Sequence, residues 1–288
     1  MTEPTSRSTT SIEANGLEFT ADLAGPADGA AVLLLHGFPQ TRHTWRAELE
    51  ALGAAGYRAC APDQRGYSAG ARPKGIDNYR TELLVADALA IADSLGADRF
   101  HIVGHDWGGA LAWFIAAHYP ERVISVTVIS RPHPAAFMLA MRDDPGQPHR
   151  SRHHPAFQRP EATDALLVEN AGPLRRAMAR NAVPEADIDA YLATLGDRDA
   201  LDSAVNWYRA MGQSSIQSAD APAIDVPTMF VWGNEDATVG RMAAENTADF
   251  VTGPYCFTEL RGVNHFVTDE APGVFTELLL DHIAEHPA

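Results

Sequence analysis

The chain has 288 residues, of which 45% are hydrophobic and 21% are charged, and this composition fits a globular protein with a substantial core. Its formal net charge of -16 argues against nucleic acid or an anionic membrane as a partner, because both require a basic surface. The two cysteines, Cys60 and Cys256, lie in apolar segments and are predicted to be buried free thiols.

The first segments of the chain predict a tail followed by the start of a sheet. Residues 1–12 are polar and lack the apolar core of a signal peptide, so we expect a flexible tail on a cytoplasmic protein. Leu17–Ala24 alternates weakly and predicts an edge strand, whereas the apolar run Ala31–Leu35 predicts a central strand buried on both faces. No later run is long enough to span a membrane.

Strand and helix patterns then alternate as far as residue 129. The predicted strands are 57–61, 100–103 and 123–129, and the predicted helices are 45–55, 79–95 and 107–119. Gly96 follows the second of these helices and is a natural C-terminal cap. This alternation predicts an α/β fold, with a mostly parallel sheet flanked by helices.

The pattern changes between residue 131 and about residue 222. This segment is rich in Pro, His, Arg and Ala, with helical stretches at 162–168 and 184–195 and no strand candidate. Strand patterns resume at 226–232 and 255–260, before a closing helix at 272–285. We therefore predict a first core part at 1–133, a helical cap at 134–222 inserted after the sixth strand, and a second core part at 223–288.

A Gly-x-Asp-x-Gly segment lies between a predicted strand and a predicted helix. Gly104 and Gly108 leave room for a sharp turn that presents Asp106 at the carboxyl end of the sheet, as in a nucleophile elbow. Asp is also a common helix N-cap. The segment by itself leaves both interpretations open.

Two further residues follow later strands. Asp236 comes just after the strand pattern at 226–232, and His265 comes just after the last strand. Each is compatible with a simple turn or loop residue, but the order nucleophile, acid, base is that of the α/β-hydrolase fold. The sequence therefore predicts that fold, with Asp106, His265 and Asp236 as the catalytic triad.

The loop after the first central strand reads His36-Gly37-Phe38-Pro39. In this fold that loop supplies a backbone N–H, here that of Phe38, which pairs with the N–H after the nucleophile, here that of Trp107, as an oxyanion hole. A plain turn is the alternative explanation for Gly37 and Pro39.

Three segments resemble the epoxide hydrolases of the α/β-hydrolase superfamily: HGFP at 36–39, GHDWGG at 104–109 and NWYR at 206–209. The similarity spans nearly the whole chain after the tail. It implies that Asp106 attacks an epoxide carbon and that Tyr208 donates a hydrogen bond to the epoxide oxygen. His36 and Trp207 are expected to bind substrate. A core aromatic of the cap is the alternative for Tyr208.

Two segments depart from that family. Its second cap tyrosine normally precedes a Phe-Gln-x-Pro motif, and the matching position before Phe157-Gln158-Arg159-Pro160 is His153. We expect His153 to bind substrate, with a charge that changes near neutral pH. The segment 63–70 also differs, since relatives usually have Gly and Ser where this chain has Ser68 and Gly70.

A basic stretch surrounds that histidine. His149, His153 and His154 alternate with arginines. A metal site is one interpretation, but the spacing offers no convincing Cys or acidic ligand. We therefore expect a solvated or pocket-lining basic stretch, and no metal.

An aspartate nucleophile suits attack at saturated carbon, because the resulting alkyl ester is cleaved by water whereas a serine ether is not. The predicted function is therefore a cofactor-independent hydrolase that opens an epoxide to a diol. Its substrate is expected to be small and apolar, and the sequence leaves open whether the protein forms a homodimer. The alternatives are a haloalkane or haloacid dehalogenase, an ester or lactone hydrolase, and an inactive ligand-binding fold. Phe38 stands where one type of haloalkane dehalogenase has Asn, and Trp107 stands where fluoroacetate dehalogenases have Arg. Both differences count against a dehalogenase.

Overall fold

The computed structural model describes residues 7–213 and 222–288, which contain eight strands of one sheet. The strands are β1 Ser8–Ala14, β2 Leu17–Ala24, β3 Ala31–Leu35, β4 Arg58–Pro62, β5 Phe100–His105, β6 Val123–Ile129, β7 Thr228–Gly233 and β8 Tyr255–Leu260. Their order in the sheet is β1-β2-β4-β3-β5-β6-β7-β8. The pairs β1/β2 and β2/β4 are antiparallel, and the remaining neighbours are parallel. This is the α/β-hydrolase fold predicted from the sequence.

Helices flank and interrupt this sheet. The described helices are α1 Arg46–Ala54, α2 Thr81–Ser94, α3 Trp107–His118, α4 Pro134–Asp143, α5 Gln147–Arg150, α6 His153–Phe157, α7 Ala162–Arg180, α8 Glu185–Leu195, α9 Arg198–Arg209, α10 Arg241–Glu245, α11 Val267–Glu270 and α12 Pro272–Glu285. In the described part of the chain, none of them has the length and apolarity needed to cross a bilayer.

The central strand β3 shows why helices cover both faces. All five of its residues are buried. Val32 and Leu34 pack in a cluster with apolar side chains of α1 and α12. Leu33 and Leu35 pack in a second cluster with side chains of α2 and α3. Successive side chains of a strand point to opposite faces, so an uninterrupted apolar run fits only a sheet covered on both sides.

The amino-terminal prediction was wrong in two respects. Residues 8–12, expected to be part of a flexible tail, belong to β1, and β1 pairs with β2 along its whole length. The strand Leu17–Ala24 is therefore not an edge strand. The polar composition of β1 hid it, because only Ile12 and Ala14 supply buried apolar side chains. Residues 1–6 of the expected tail lie outside the described residues.

The cysteine prediction was correct for one residue only. Cys60 is buried in β4, and burial raises the pKa of its thiol to about 12. Cys256 is exposed, because it lies in β8, which is the last strand of the sheet and has a neighbouring strand on one side only. An apolar segment at a sheet edge does not guarantee burial.

Between β6 and β7 the described residues form helices α4 to α9. The long helix α7 is broken at 168–171, where Glu169, Asn170 and Ala171 all have positive φ. The stretch predicted at 162–168 covers the first part of α7, and the stretch at 184–195 matches α8. Residues 214–221 of the expected cap lie outside the described residues.

Candidate active site

The turn between β5 and α3 holds Asp106 in a strained conformation, with φ of 50° and ψ of -114°. A Cβ on Gly104 would lie 2.3 Å from the carbonyl oxygen of Gly108, and a Cβ on Gly108 would lie 2.0 Å from that of Leu35. Only glycine fits at these two positions. A non-glycine residue at positive φ costs on the order of 1–3 kcal/mol, and such strain is often found at functional sites.

The side chain of Asp106 does not cap helix α3. It forms no capping hydrogen bond, and instead its Oδ1 accepts the backbone N–H of Phe38 at 3.1 Å. Its Oδ2 lies 3.7 Å from Nε2 of His265. Gly37 allows this close approach, because a Cβ there would lie 2.4 Å from the Cβ of Asp106. The carboxylate is 9% exposed and therefore faces a largely enclosed space.

His265 links this carboxylate to a second one. Its Nδ1 lies 2.8 Å from Oδ2 of Asp236. The other oxygen of Asp236 accepts the backbone N–H groups of Thr238 at 2.7 Å and Val239 at 3.0 Å. The backbone turn after β7 thus fixes the carboxylate of Asp236, and this carboxylate fixes the imidazole of His265. The three residues singled out from the strand ends are therefore within reach of one another.

Thr238 and His105 also hold the histidine, and sequence reasoning missed both. The hydroxyl of Thr238 lies 2.8 Å from Oδ1 of Asp236 and 2.9 Å from Nδ1 of His265. His105, just before the elbow, donates from Nε2 to the backbone oxygen of His265 at 2.9 Å. Burial lowers the pKa of His105 to about 4, so it stays neutral. The position of Thr238, two residues after Asp236, was the available signal, since Asp often bonds the backbone two residues on.

The charges of the site stabilise one another. Burial by itself raises the pKa of Asp106, but its interaction with the nearby His265 outweighs burial and holds that pKa well below its usual range. Burial by itself lowers the pKa of His265, but the negative charges of Asp236 and Asp106 raise it to about 10. At neutral pH the site therefore holds an anionic Asp106 and a protonated His265.

A cavity of about 210 Å³ lies in front of Asp106 and His265. Its remaining lining comes mostly from the segment between β6 and β7 and is mainly apolar: Phe38, Pro39, His153, Phe157, Leu166, Pro173, Leu174, Ala177, Met178, Asn181, Tyr208, Thr238 and Phe266. Such a cavity favours a small substrate with an apolar body.

Tyr208 is one of the polar residues that the segment between β6 and β7 contributes to this cavity. Its ring packs edge-on against Phe157, with 5.0 Å between centroids, and against Phe38 at 5.6 Å. Burial and then the negative charge of Asp106 raise the pKa of Tyr208 well above its usual value. The phenol therefore stays protonated and remains a hydrogen-bond donor at any physiological pH.

His153 lines the same cavity but differs from a tyrosine in its chemistry. Its Nδ1 lies 3.3 Å from the backbone oxygen of Arg150 and donates to it. Burial lowers its pKa below the ordinary 6.5. The neutral ring then presents an acceptor at Nε2 and becomes a second donor only when protonated.

Three of the predicted site residues do not line the cavity: His36 and Trp207, predicted to bind substrate, and Trp107, predicted to supply an oxyanion-hole N–H. His36 is buried, with Nε2 accepting the backbone N–H of Gln64 at 3.2 Å and Nδ1 donating to a neighbouring carbonyl. The indole of Trp207 donates to the backbone oxygen of Arg65 at 2.9 Å. The ring of Trp107 packs against Trp207, with 5.6 Å between centroids. The polar atoms of His36 and Trp207 thus bond to the loop after β4, and the substrate-binding role of these two residues stays a prediction.

The basic stretch around His153 does not assemble a metal site. In residues 7–213 and 222–288, no group of three or more His, Cys, Asp or Glu side chains is arranged to hold a metal ion.

Comparisons with known proteins agree with this geometry. A family model described as the alpha/beta hydrolase fold matches residues 30–272. YfhM of Bacillus subtilis, named an AB hydrolase superfamily protein, is 32% identical over 94% of this chain and 96% of its own length. The mouse protein named epoxide hydrolase 4 is 30% identical over 95% of this chain and 78% of its own.

Solved structures extend the similarity. One from a study of novel epoxide hydrolases in metagenomes from hot environments has a TM-score of 0.87 at 29% identity, and the match covers 98% of this chain and 100% of that one. A mutant epoxide hydrolase from Bacillus megaterium has a TM-score of 0.86 at 25% identity, with 95% and 99% covered.

Proposed function

The chain belongs to the α/β-hydrolase family as an epoxide hydrolase-like enzyme, and on that basis we propose that it opens epoxides to diols through an ester on Asp106. One observation carries the proposal. The nucleophile position holds a buried carboxylate, kept anionic beside His265, with one oxygen already bonded to a backbone N–H. The relatives named epoxide hydrolases support the same reaction class.

In the first half-reaction Oδ2 of Asp106 attacks an epoxide carbon and the carbon–oxygen bond of the ring breaks. Oδ1 stays bonded to the N–H of Phe38, so it becomes the carbonyl oxygen of the ester. Tyr208 donates a hydrogen bond to the developing alkoxide and transfers its proton to that oxygen. His153 assists as a second donor in its protonated form.

In the second half-reaction water attacks the ester carbonyl. Alkylation removes the negative charge of Asp106, which is one of the charges that raise the pKa of His265. That pKa therefore falls after the first step, so His265 gives up its proton, which returns to the Tyr208 phenolate left by the first step. The neutral imidazole, held by Asp236, then accepts a proton from the attacking water, and the ester C–O bond of the tetrahedral intermediate breaks to release the diol and the Asp106 carboxylate. The N–H groups of Phe38 and Trp107 stabilise the oxyanion, and a donor of this kind contributes roughly 3 kcal/mol.

The test is a substrate panel that separates epoxide opening from dehalogenation. Diol formed from styrene oxide and from aliphatic epoxides is measured beside halide released from matched haloalkanes and haloacids. Phe38 offers the leaving halide an apolar ring, so we expect epoxide turnover to dominate. A panel in which halide release dominates contradicts the proposal and favours a dehalogenase with the same nucleophile, and turnover of esters alone contradicts both.

A further inference from the structure

A second, open cavity of about 670 Å³ adjoins the catalytic cavity. Its lining consists of Gly146, His149, Arg150, Arg152, His153, Ala237 and Thr238. His153 and Thr238 line both cavities, so the two spaces meet beside the catalytic histidine. We call the part formed by His149, Arg150 and Arg152 the basic groove.

The described hydrogen bonds of the two arginines in the basic groove are to a backbone carbonyl and an imidazole. Arg150 donates to the backbone oxygen of Asp236 at 3.1 Å, and Arg152 donates to Nε2 of His149. Within the part of the chain that the structure describes, no carboxylate forms an ion pair within 4.0 Å of either arginine. The carboxylate of Asp144 lies in the same region and accepts the N–H of Gly146 at 2.8 Å.

The chain carries 38 acidic and 22 basic residues, and many of its arginines, such as Arg65 and Arg241, are held by carboxylates. Others, such as Arg58 and Arg99, donate to backbone carbonyls, and the arginines of the basic groove differ from these in adjoining the catalytic cavity. Two guanidinium groups whose partners are a carbonyl and an imidazole keep their positive charge available. Guanidinium binds carboxylate and phosphate oxygens through charge-assisted and often bidentate hydrogen bonds.

We propose that the basic groove binds an anionic group of the substrate, a carboxylate or a phosphate, while the epoxide lies against Asp106. The inference rests on the proposed function and narrows it to epoxides that carry an anion at the end of an apolar chain. The chain occupies the apolar cavity, passes His153 and Thr238, and places its charged end between Arg150 and Arg152. Neutral epoxides bind the same catalytic cavity but gain nothing from the groove.

Binding is measured first, independently of turnover. Asp106→Asn replaces the nucleophile with a neutral amide, so the epoxide stays intact during the measurement. Calorimetry on this variant compares the affinity for an ω-epoxy carboxylate with that for its primary amide, over a series of chain lengths. We expect the carboxylate to bind about three- to tenfold more tightly at one optimal length, with the difference reduced by added salt. The corresponding ω-epoxy phosphates show which of the two anions the groove prefers.

Arg152→Gln in the same background is the decisive variant, because its described contact is to His149 alone. We expect it to remove most of the carboxylate preference and to leave amide affinity unchanged. Arg142→Gln is the matched control, since it removes an equal charge from an exposed position paired with Asp143. In otherwise unmodified enzyme, Arg152→Gln should raise the KM for the carboxylate about three- to tenfold at unchanged kcat.

Equal affinity for carboxylate and amide at every length overturns the inference, as does an equal effect of Arg152→Gln and Arg142→Gln. These results leave the proposed function intact if neutral epoxides still form diols. Failure of every epoxide to react with the unmodified enzyme instead rejects the proposed function, and the calorimetry still decides whether the groove binds anions.

Discussion

Tyr208 is a permanent hydrogen-bond donor in the wall of the cavity, because its raised pKa keeps it protonated. Tyr208→Phe removes that donor and keeps the ring that packs against Phe157 and Phe38. We expect turnover of epoxides to fall roughly ten- to thousandfold, with little change in thermal unfolding. Steady-state kinetics and calorimetric unfolding on the same preparation measure both.

Tyr191→Phe is the control for this substitution. Tyr191 is also buried, but it donates to Asp269 at 2.6 Å and does not line the cavity. We expect it to lower the free energy of unfolding by about 1–3 kcal/mol and to leave the chemical step unchanged. Unchanged epoxide turnover in folded Tyr208→Phe would remove this hydroxyl from the mechanism.

His153 gives the first half-reaction a pH dependence that a second tyrosine would not. Its pKa lies below 6.5, so the donor form increases as pH falls towards that value, while Asp106 stays anionic and His265 stays protonated. We expect the single-turnover rate of alkylation to rise with falling pH. In His153→Tyr the rate should be higher at neutral pH and nearly independent of pH.

Rapid-quench measurement of ester formation tests this, with Asp106→Asn as the control for acid-catalysed opening in solution. A pH profile that is the same for His153→Tyr and the unmodified enzyme would show that His153 takes no part as a donor.

The sequence could predict the candidate catalytic residues, but not the residues that hold them in place. Asp106, Asp236 and His265 each follow a strand, and strand ends can be read from apolar runs. Thr238 and His105 act through hydrogen bonds to His265 that exist only after β5, β7 and β8 are brought together. A motif also cannot tell which way a side chain points. His36 and Trp207 adjoin site residues along the chain, yet bond to the loop after β4.

At the scale of elements, helix α8 is joined to the core by polar contacts. Asp187 accepts hydrogen bonds from Arg46 at 2.6 Å and His43 at 2.8 Å. The pair is partly exposed, so its contribution lies between those of surface and buried ion pairs. We expect Asp187→Asn to lower the free energy of unfolding by about 1–3 kcal/mol and to speed hydrogen exchange in α8.

Asp189→Asn on the same helix is the matched control, because Asp189 is exposed and pairs with Arg175. Its effect should stay within about 0.5 kcal/mol. If the two variants behave alike in chemical denaturation and in hydrogen exchange of α8, the contact of Asp187 with the core does not hold the helix in place.

Elements with strong apolar periodicity were predictable, and elements defined by their partners were not. The strand β3 and the helix α12 agree with their predicted bounds. The strand β1 has few apolar residues and is stabilised by pairing with β2. The break in α7 had a partial signal, because Asn170 tolerates positive φ and Pro173 follows shortly, whereas Glu169 and Ala171 rarely adopt the positive φ that they have here.

For the molecule as a whole, the sheet brings distant parts of the chain together. Residues 106, 236 and 265 follow β5, β7 and β8, and the parallel direction of these strands puts their carboxyl ends at one edge of the sheet. We propose that residues 1–133 and 223–288 form the catalytic core and that residues 134–222 form a cap over it. The cap side supplies Tyr208, His153 and most of the apolar wall.

The central claim is that Asp106 carries the substrate as an ester, and trapping that ester tests it most directly. His265→Gln should still allow alkylation but stall hydrolysis, because the two half-reactions depend on different groups. After incubation with a reactive epoxide, mass spectrometry should show a gain equal to the substrate mass, located by peptide mapping on Asp106, and Asp106→Asn should show none. The carboxylate-nucleophile mechanism would be contradicted if His265→Gln gained no mass with any epoxide that the wild-type enzyme turns over. An adduct on a residue other than Asp106 would contradict it as well.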